Sequence, residues 1–496
     1  MPVEITNIAA SLPMRRQPWL ALLTAVCLAA LILPLSFTGA VVATPMIGRD
    51  LGAGALASSW ITNAFMLSFG SLLMAAGAAA DTFGRKRVFV CGVSLFAFAS
   101  IVIAWVPDIL WLDVLRAVQG GAAAAALAGG SAALAQAFDG VARTRAFSLL
   151  GTCFGAGLAF GPVLAGAIIA HLGWRSVFFS SAILGALALL LAVSRMPESR
   201  DPVATGFDWA GAAAFSSTLG LFTWGVLLLP VSGWGAWQAW AVLLGGALSC
   251  AVFLHVERRA ARPMLDLSLF RYPRFLGVQL LPVATCYCYV VLLVLLPLRF
   301  IGLEGLDEVD AGLHMIALSI PMLIVPGLAA GLTRWVSPGR ISAFGLFVAA
   351  FGLYWLGEIK PADSRASLLG PLLIIGIGTG LPWGLMDGLA VSVVPKERAG
   401  MAAGIFSTTR VAGEGVAIAV VGALLTLSIE LHLPGHSEAA RHLAVGDLVA
   451  AQQLSHLGLD TLLGIYGEAF RWLIRFLIVV TLGAAVVVGW LLADAE

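Results

Sequence analysis

The sequence predicts an all-α polytopic membrane protein of about fourteen spanning helices, grouped six, two and six, with both termini on the inner face. Three observations carry that prediction. Of the 496 residues, 60% are hydrophobic and only 11% charged, and mean hydropathy is +0.98; that is more apolar surface than a water-soluble chain of this length buries. The apolar residues fall into runs near the roughly 20 residues that a bilayer core requires. The cations also concentrate in alternate connections between those runs.

The runs lie near residues 19–42, 56–79, 88–106, 109–137, 145–170 and 175–194, then 209–230 and 236–255, then 274–298, 311–333, 341–358, 367–393, 400–429 and 469–492. The first follows Arg15 and Arg16 and is too long for the apolar core of a cleavable signal, so it is read as a retained first helix. With the N-terminus inside, the inner connections collect Arg85, Lys86 and Arg87, then Arg143 and Arg145, Arg195 and Arg200, the cluster from Arg258 to Arg274, Arg334 and Arg340, and Lys396 and Arg398. The outer connections hold only Arg49, Arg175, Arg299, Lys360, Arg365 and Arg441, a three-to-one bias that a wrong helix count would scramble. Polar stretches at Pro197–Pro202 and Glu257–Arg274 mark seams. The chain therefore divides into a six-helix bundle over 1–200, a two-helix insertion over 201–265 and a second six-helix bundle over 266–496.

Composition also excludes functions. A net charge of +1, with no basic patch interleaved with polar residues, argues against nucleic acid. Cys27, Cys91, Cys153, Cys250, Cys286 and Cys288 all sit in apolar runs without metal or disulfide spacing and are read as packing residues. His432, His436, His442 and His456 fall in the longest outer segment and are read as solvated, not as metal ligands. No ligand cluster, catalytic triad or phosphate-cradling loop appears, so the expectation is a non-enzyme without cofactor or metal.

The most informative connection is Gly77 to Arg87. Gly84 permits the turn between two helix ends, and Arg85 and Arg87 stay in water or at headgroups. Asp81, near a helix C-terminus, opposes the dipole there and needs a cation or another helix's N-terminus to compensate it. The pattern Gly77, Asp81, Gly84, Arg85, Lys86, Arg87 resembles the loop between helices 2 and 3 of the major facilitator superfamily of transporters. A weaker echo, Gly331, Arg334, Gly339 and Arg340, lies between runs ten and eleven, as duplicated halves would show.

In the fourth run, Arg116, Gln119 and Gly120 share one face. Arg116 lies about 10 Å below the outer surface, a depth that demands a partner or a role. Gln119 is a candidate for a substrate cavity. In the fifth run, Gly157, Gly161, Pro162 and Gly166 allow close helix approach at a bend. The two motifs resemble the superfamily's fourth-helix and antiporter motifs, the latter with Ala165 in place of a usual glycine.

Together with fourteen helices, Trp174-Arg175 opening helix 6 and Phe207-Asp208-Trp209 leading into helix 7, these features resemble the fourteen-helix drug:proton antiporter family. The resemblance implies export of small amphipathic molecules, multidrug-type, by alternating access in exchange for protons; the expected setting is a bacterial inner membrane, with a monomer as one assembly state the sequence leaves open. One departure stands out: Ser36 occupies the place of the family's usual helix 1 acid, and a serine carries no titrating proton at neutral pH. An uncoupled facilitator, a substrate exchanger, or a membrane sensor with this fold are the alternatives that Ser36 leaves open.

Two intramembrane acids remain, Asp387 in helix 12 and Glu414 in helix 13. A carboxyl in apolar surroundings can exchange protons near physiological pH, and Arg410, one turn before Glu414, offers that acid a counter-charge. The spacing makes Asp387 the proton-exchanging group and Glu414 the structural or gating partner of Arg410. Trp383, one turn before Asp387, adds an aromatic face for a cationic or amphipathic substrate. Asn63, Gln279 and Tyr287 complete the cavity candidates. Asp81 is expected to latch the two halves by meeting the N-terminus of helix 13 near Ala399.

Overall fold

The computed structural model describes residues 17–138, 140–200, 208–232, 236–259, 267–359, 365–394 and 399–493. Arg15, Arg16, Phe207, Arg262, Lys396, Arg398 and the seams at 201–207 and 260–266 lie outside the described residues. Among those described, fourteen helices are long and apolar enough to cross a bilayer, by length and composition.

The first bundle comprises α1 (Gln17–Asp50), α2 (Ala55–Phe83), α3 (Arg85–Ile103), α4 (Ile109–Ala137), α5 (Gly140–Leu172) and α6 (Arg175–Arg195). The inserted pair is α7 (Trp209–Ser232) and α8 (Trp237–Arg259). The second bundle comprises α9 (Pro273–Leu303), α10 (Val309–Leu332), α11 (Pro338–Glu358), α12 (Leu369–Ser392), α13 (Ala399–His432) and α14 (Leu459–Leu491). Every predicted run has become one helix. The first extends eight residues past its predicted end at Val42 to Asp50, because Thr44 bonds back to the Ala40 carbonyl at 2.9 Å and so costs no unpaired polar group.

Burial separates core from periphery. In α9, 83% of the most apolar stretch is buried, against 17% in α8, so α9 is central and α8 faces lipid. The backbone of α9 carries Pro282 and Pro297 and widens into π turns at Cys286–Val290 and Leu298–Leu303. Such turns re-aim the side chains that follow. The inserted pair is not a detached spacer: α7 packs on α2 and α13, and the Ser216 hydroxyl donates to the Ser71 carbonyl at 2.8 Å.

Small residues set the contacts between bundles. A Cβ on Gly70 of α2 would lie 2.8 Å from the Ala412 Cα of α13, and one on Gly312 of α10 would lie 3.2 Å from the Val163 Cα of α5. Both pairs bring helices to backbone contact across the seam. Between α13 and α14, two short helices, Ser437–Ala444 and Leu448–Ser455, cover the end opposite the Asp81 joint. There His442 faces Asp447 at 3.0 Å and His432 faces Glu468 at 3.7 Å. No group of three His, Cys, Asp or Glu among the described residues could hold a metal ion.

Candidate functional site

The charged centre of the second bundle lies where α12 and α13 meet α5. Arg410 Nη1 of α13 lies 3.2 Å and 3.3 Å from the two carboxylate oxygens of Asp387 on α12. The guanidinium also stacks 4.9 Å from the Phe154 ring of α5 and 5.6 Å from Phe406, which favours the cation. On the facing helix, a Cβ at Gly151 would sit 2.8 Å from Asp387 Oδ2, and one at Gly155 would sit 3.0 Å from Trp383 Nε1. The glycines of α5 thus make room for the acid and the indole of the other bundle.

Glu414 stands differently. It is 1% exposed, and neither carboxylate oxygen has a hydrogen-bond partner among the described residues. The expected Arg410–Glu414 pairing is therefore replaced by Arg410–Asp387. Spacing along one helix ranks Glu414 first, but the guanidinium reaches across to α12 instead.

The first bundle holds a separate polar knot. Arg116 is fully buried; its Nε donates to the Ile61 carbonyl of α2 at 2.8 Å, and its Nη1 donates to Gln119 Oε1. Gln119 Nε2 donates in turn to Ser100 of α3 at 2.7 Å, and the Phe65 ring lies 4.3 Å from the guanidinium. Gly120 is required beside it, since a Cβ there would overlap the Phe65 carbonyl. Asp113, three residues before Arg116, has a buried oxygen without a partner among the described residues. It escaped the sequence reading, although its spacing to Arg116 signals it.

At the joint, Asp81 Oδ1 accepts from Arg85 Nε at 3.0 Å and from Nη2 at 2.8 Å. The cation that Asp81 needs comes from the next helix. Gly84 has φ 114°, a left-handed backbone, and the Glu198 carboxylate occupies the space beside it. Glu198 also accepts from the Lys86 backbone N–H at 3.1 Å and pairs with Arg87 at 3.6 Å, while the Ser199 carbonyl accepts from the Arg85 N–H at 2.8 Å. The chain leaving α6 therefore clamps the joint. Gly77 has open space at its Cβ position.

The antiporter-like face of α5 packs on α1: side chains at Gly157 and Gly161 would overlap the Leu31 carbonyl and the Thr38 hydroxyl. Pro162 and Gly166 are buried in the same helix. On the other side of α5, the Ser319 hydroxyl of α10 donates to the Ala159 carbonyl. One helix thus packs closely on its own bundle and accepts a hydrogen bond from the other.

The sequence profile of the Major Facilitator Superfamily matches residues 26–418. The chain belongs to the Major Facilitator Superfamily. Multidrug resistance protein Stp of Mycobacterium tuberculosis is 31% identical over 427 residues, covering 85% of this chain and 78% of the relative. The tetracenomycin C resistance and export protein of Streptomyces glaucescens is 27% identical over 416 residues, covering 83% and 77%. Among solved structures, a bacterial homologue of the human lysosomal transporter Spinster superposes with a TM-score of 0.62 at 14% identity, covering 96% of this chain and 97% of the other. At that identity the likeness is one of fold.

As a superfamily member the chain is an integral membrane transporter, and its predicted site residues sort into three places. Asp387, Arg410 and Trp383 come together beside α5, and Glu414 lies one turn from Arg410 on α13. Arg116 and Gln119 belong to the knot of the first bundle, where both amide atoms of Gln119 are engaged and the residue is fully buried; it does not face a cavity. Asn63 lines a chamber toward the end opposite the joint. Gln279 is buried, with neither amide atom paired among the described residues. Tyr287 turns its ring toward Phe476 of α14, at 6.3 Å, whereas Tyr289 lies 6.1 Å from Trp383. Tyr289, fully buried, is the tyrosine of α9 that lies beside Trp383.

Proposed function

We propose that the chain exports small amphipathic organic molecules in exchange for protons, by alternating access of its two six-helix bundles to a central site. The observation that carries this reading is one buried arginine, Arg410, bonded to Asp387 while Glu414, one turn away on its own helix, stays bare. A charged carboxylate without a partner in such surroundings costs several kcal/mol, and a proton on Glu414 removes that cost. Loss of the proton creates a second anion that competes for Arg410. The guanidinium then turns toward Glu414, and Asp387, pressed against Gly151 of α5, loses its partner. Proton occupancy of α13 is in this way coupled to the contact between bundles.

The relatives support the direction of transport, since Stp is named for multidrug resistance and the Streptomyces protein for export. Trp383 and Tyr289 supply an aromatic wall suited to amphipathic substrates. On this reading the termini and the Asp81 joint face the cytoplasm of a bacterial inner membrane, and the bundles are 1–200 and 266–496 with 201–265 between them. Asp81, held by Arg85, meets the N-terminus of α13 as a latch in one state of the cycle, with residues 395–398 of that approach outside the described chain.

A second reading rests on Ser36, which is fully buried in α1 with a hydroxyl unpaired among the described residues. No proton carrier stands there, and transport would be an uncoupled facilitation or an exchange. Vesicles reconstituted with the protein and loaded with ethidium separate the two. Proton-coupled export requires that an imposed pH gradient drive concentrative movement, and that Glu414→Gln abolish the drive; concentrative transport that survives a protonophore overturns the coupling.

A further inference from the structure

A chamber of about 130 Å³ lies toward the end opposite the Asp81 joint, among α1, α2, α7, α9, α13 and the short helix Ser437–Ala444. Its wall is of two kinds. Val41, Val294, Leu295, Leu298 and Ile418 make an apolar side, and Ser58, Thr62, Asn63 and Thr426 bring hydroxyls and an amide. No carboxylate lines it. Asn63, 7% exposed, presents its amide at this wall.

Into this wall comes a cation from outside the membrane core. Arg441, on the short helix, lines the chamber; its Nε is buried without a hydrogen-bond partner, and its guanidinium has no ion pair among the described residues. A buried, unmatched donor of this kind is completed by an acceptor from elsewhere. The volume decides the size of the guest. Apolar cavities of about 150 Å³ hold one benzene ring, so the chamber takes an aromatic ring with an acidic group and not a whole polycyclic molecule.

We propose that this chamber is a second binding site, distinct from the Arg410–Asp387–Glu414 centre, for the aryl-acid portion of an amphipathic organic anion, with Arg441 and Asn63 gripping the anionic group. It rests on the export reading only for its sense as an exit-side station; binding itself does not require that reading. Arg441 belongs to the covering segment and not to a spanning helix, so the segment that closes the end of the molecule also supplies the selecting charge.

The test uses the full-length protein in lipid nanodiscs, with empty nanodiscs subtracted. The probe is fluorescent salicylate, a single ring with one carboxylate, and its matched cation is 2-hydroxybenzylamine. The expected result is saturable binding of the salicylate, at least tenfold tighter than the amine. Arg441→Gln weakens it at least tenfold, while Arg441→Lys stays within about threefold. Gly422→Leu is an independent plug: Gly422 lines the chamber, and its Cβ position has no atom within 4 Å, so the larger side chain projects into space without touching backbone. It should abolish saturable binding in a protein that elutes as the parent does. Absence of saturable binding in the parent, preference for the amine, or retention within twofold by either Arg441→Gln or Gly422→Leu overturns the proposal. Saturable binding without ethidium export would remove the export reading and leave the site; export without salicylate binding would do the reverse.

Discussion

Arg410 of α13 bonds both carboxylate oxygens of Asp387 on α12, at 3.2 Å and 3.3 Å, and not the acid one turn along its own helix. The choice links two helices of one bundle at the point where the other bundle's α5 leaves room through Gly151 and Gly155. Each single neutralisation then strands a charge. Asp387→Asn and Arg410→Gln should each lower stability by about 3 to 5 kcal/mol, the usual cost of breaking a buried pair. The double variant should be more stable than either single one, as melting of the purified protein would show. Additive losses would mean that the pair is not an energetic unit.

Glu414→Gln has the opposite expectation for stability. No bond to its oxygens is lost and no charge is stranded, so the melting temperature should not fall as it does for Asp387→Asn. Transport driven by a pH gradient should disappear while substrate binding persists. Gradient-driven transport at parental rate in that variant would assign the proton elsewhere.

Arg116 should be intolerant even of lysine. Its guanidinium serves the Ile61 carbonyl, Gln119 and the Phe65 face at once, and a lysine ammonium has no planar fork to do so. Arg116→Lys should reduce stability by about 2 kcal/mol or more, and Gln119→Ala by about 1 to 2 kcal/mol. Both are read as lower melting temperatures without any change in substrate preference. A selective change of preference, with melting unaltered, would place them in the substrate path.

Two glycines of one motif should behave oppositely. Gly84→Ala forces a side chain onto a backbone at φ 114° and against Glu198, at a cost of about 1 to 2 kcal/mol. Gly77→Ala enters open space inside α2 and should stabilise by roughly 0.5 to 1 kcal/mol through helix propensity. Matched destabilisation of the two would refute the distinction.

Helix number and order were legible because every spanning run is set off by polar connections and cation bias, quantities that reside in the chain itself. The end of α1 was not: Thr44 and Pro45 lower the apolar average but are accommodated by a back-bond and by burial around them. Asp387, Arg410, Glu414 and Arg116 stood out because ionisable residues in apolar runs are rare. The pairing of Arg410 with Asp387 did not, because helical periodicity reports neighbours on one helix and the deciding contact crosses to another. Tyr289 was not legible because it lies in the π turn at Cys286–Val290, whose angular step differs from that of a regular helix. Glu198 and Arg441 sit in connections, where sequence gives charge but not destination.

The Ser216 hydroxyl's bond to the Ser71 carbonyl has a mechanical consequence. Because α7 touches both α2 and α13, a change in the spacing of those two helices must move α7, and α8 with it. With so little of α8 covered by protein, hydrocarbon chains fill whatever volume that movement opens or closes. On the alternating-access reading, the free-energy difference between the two states therefore contains a lipid contribution, on which bilayer thickness and stiffness act.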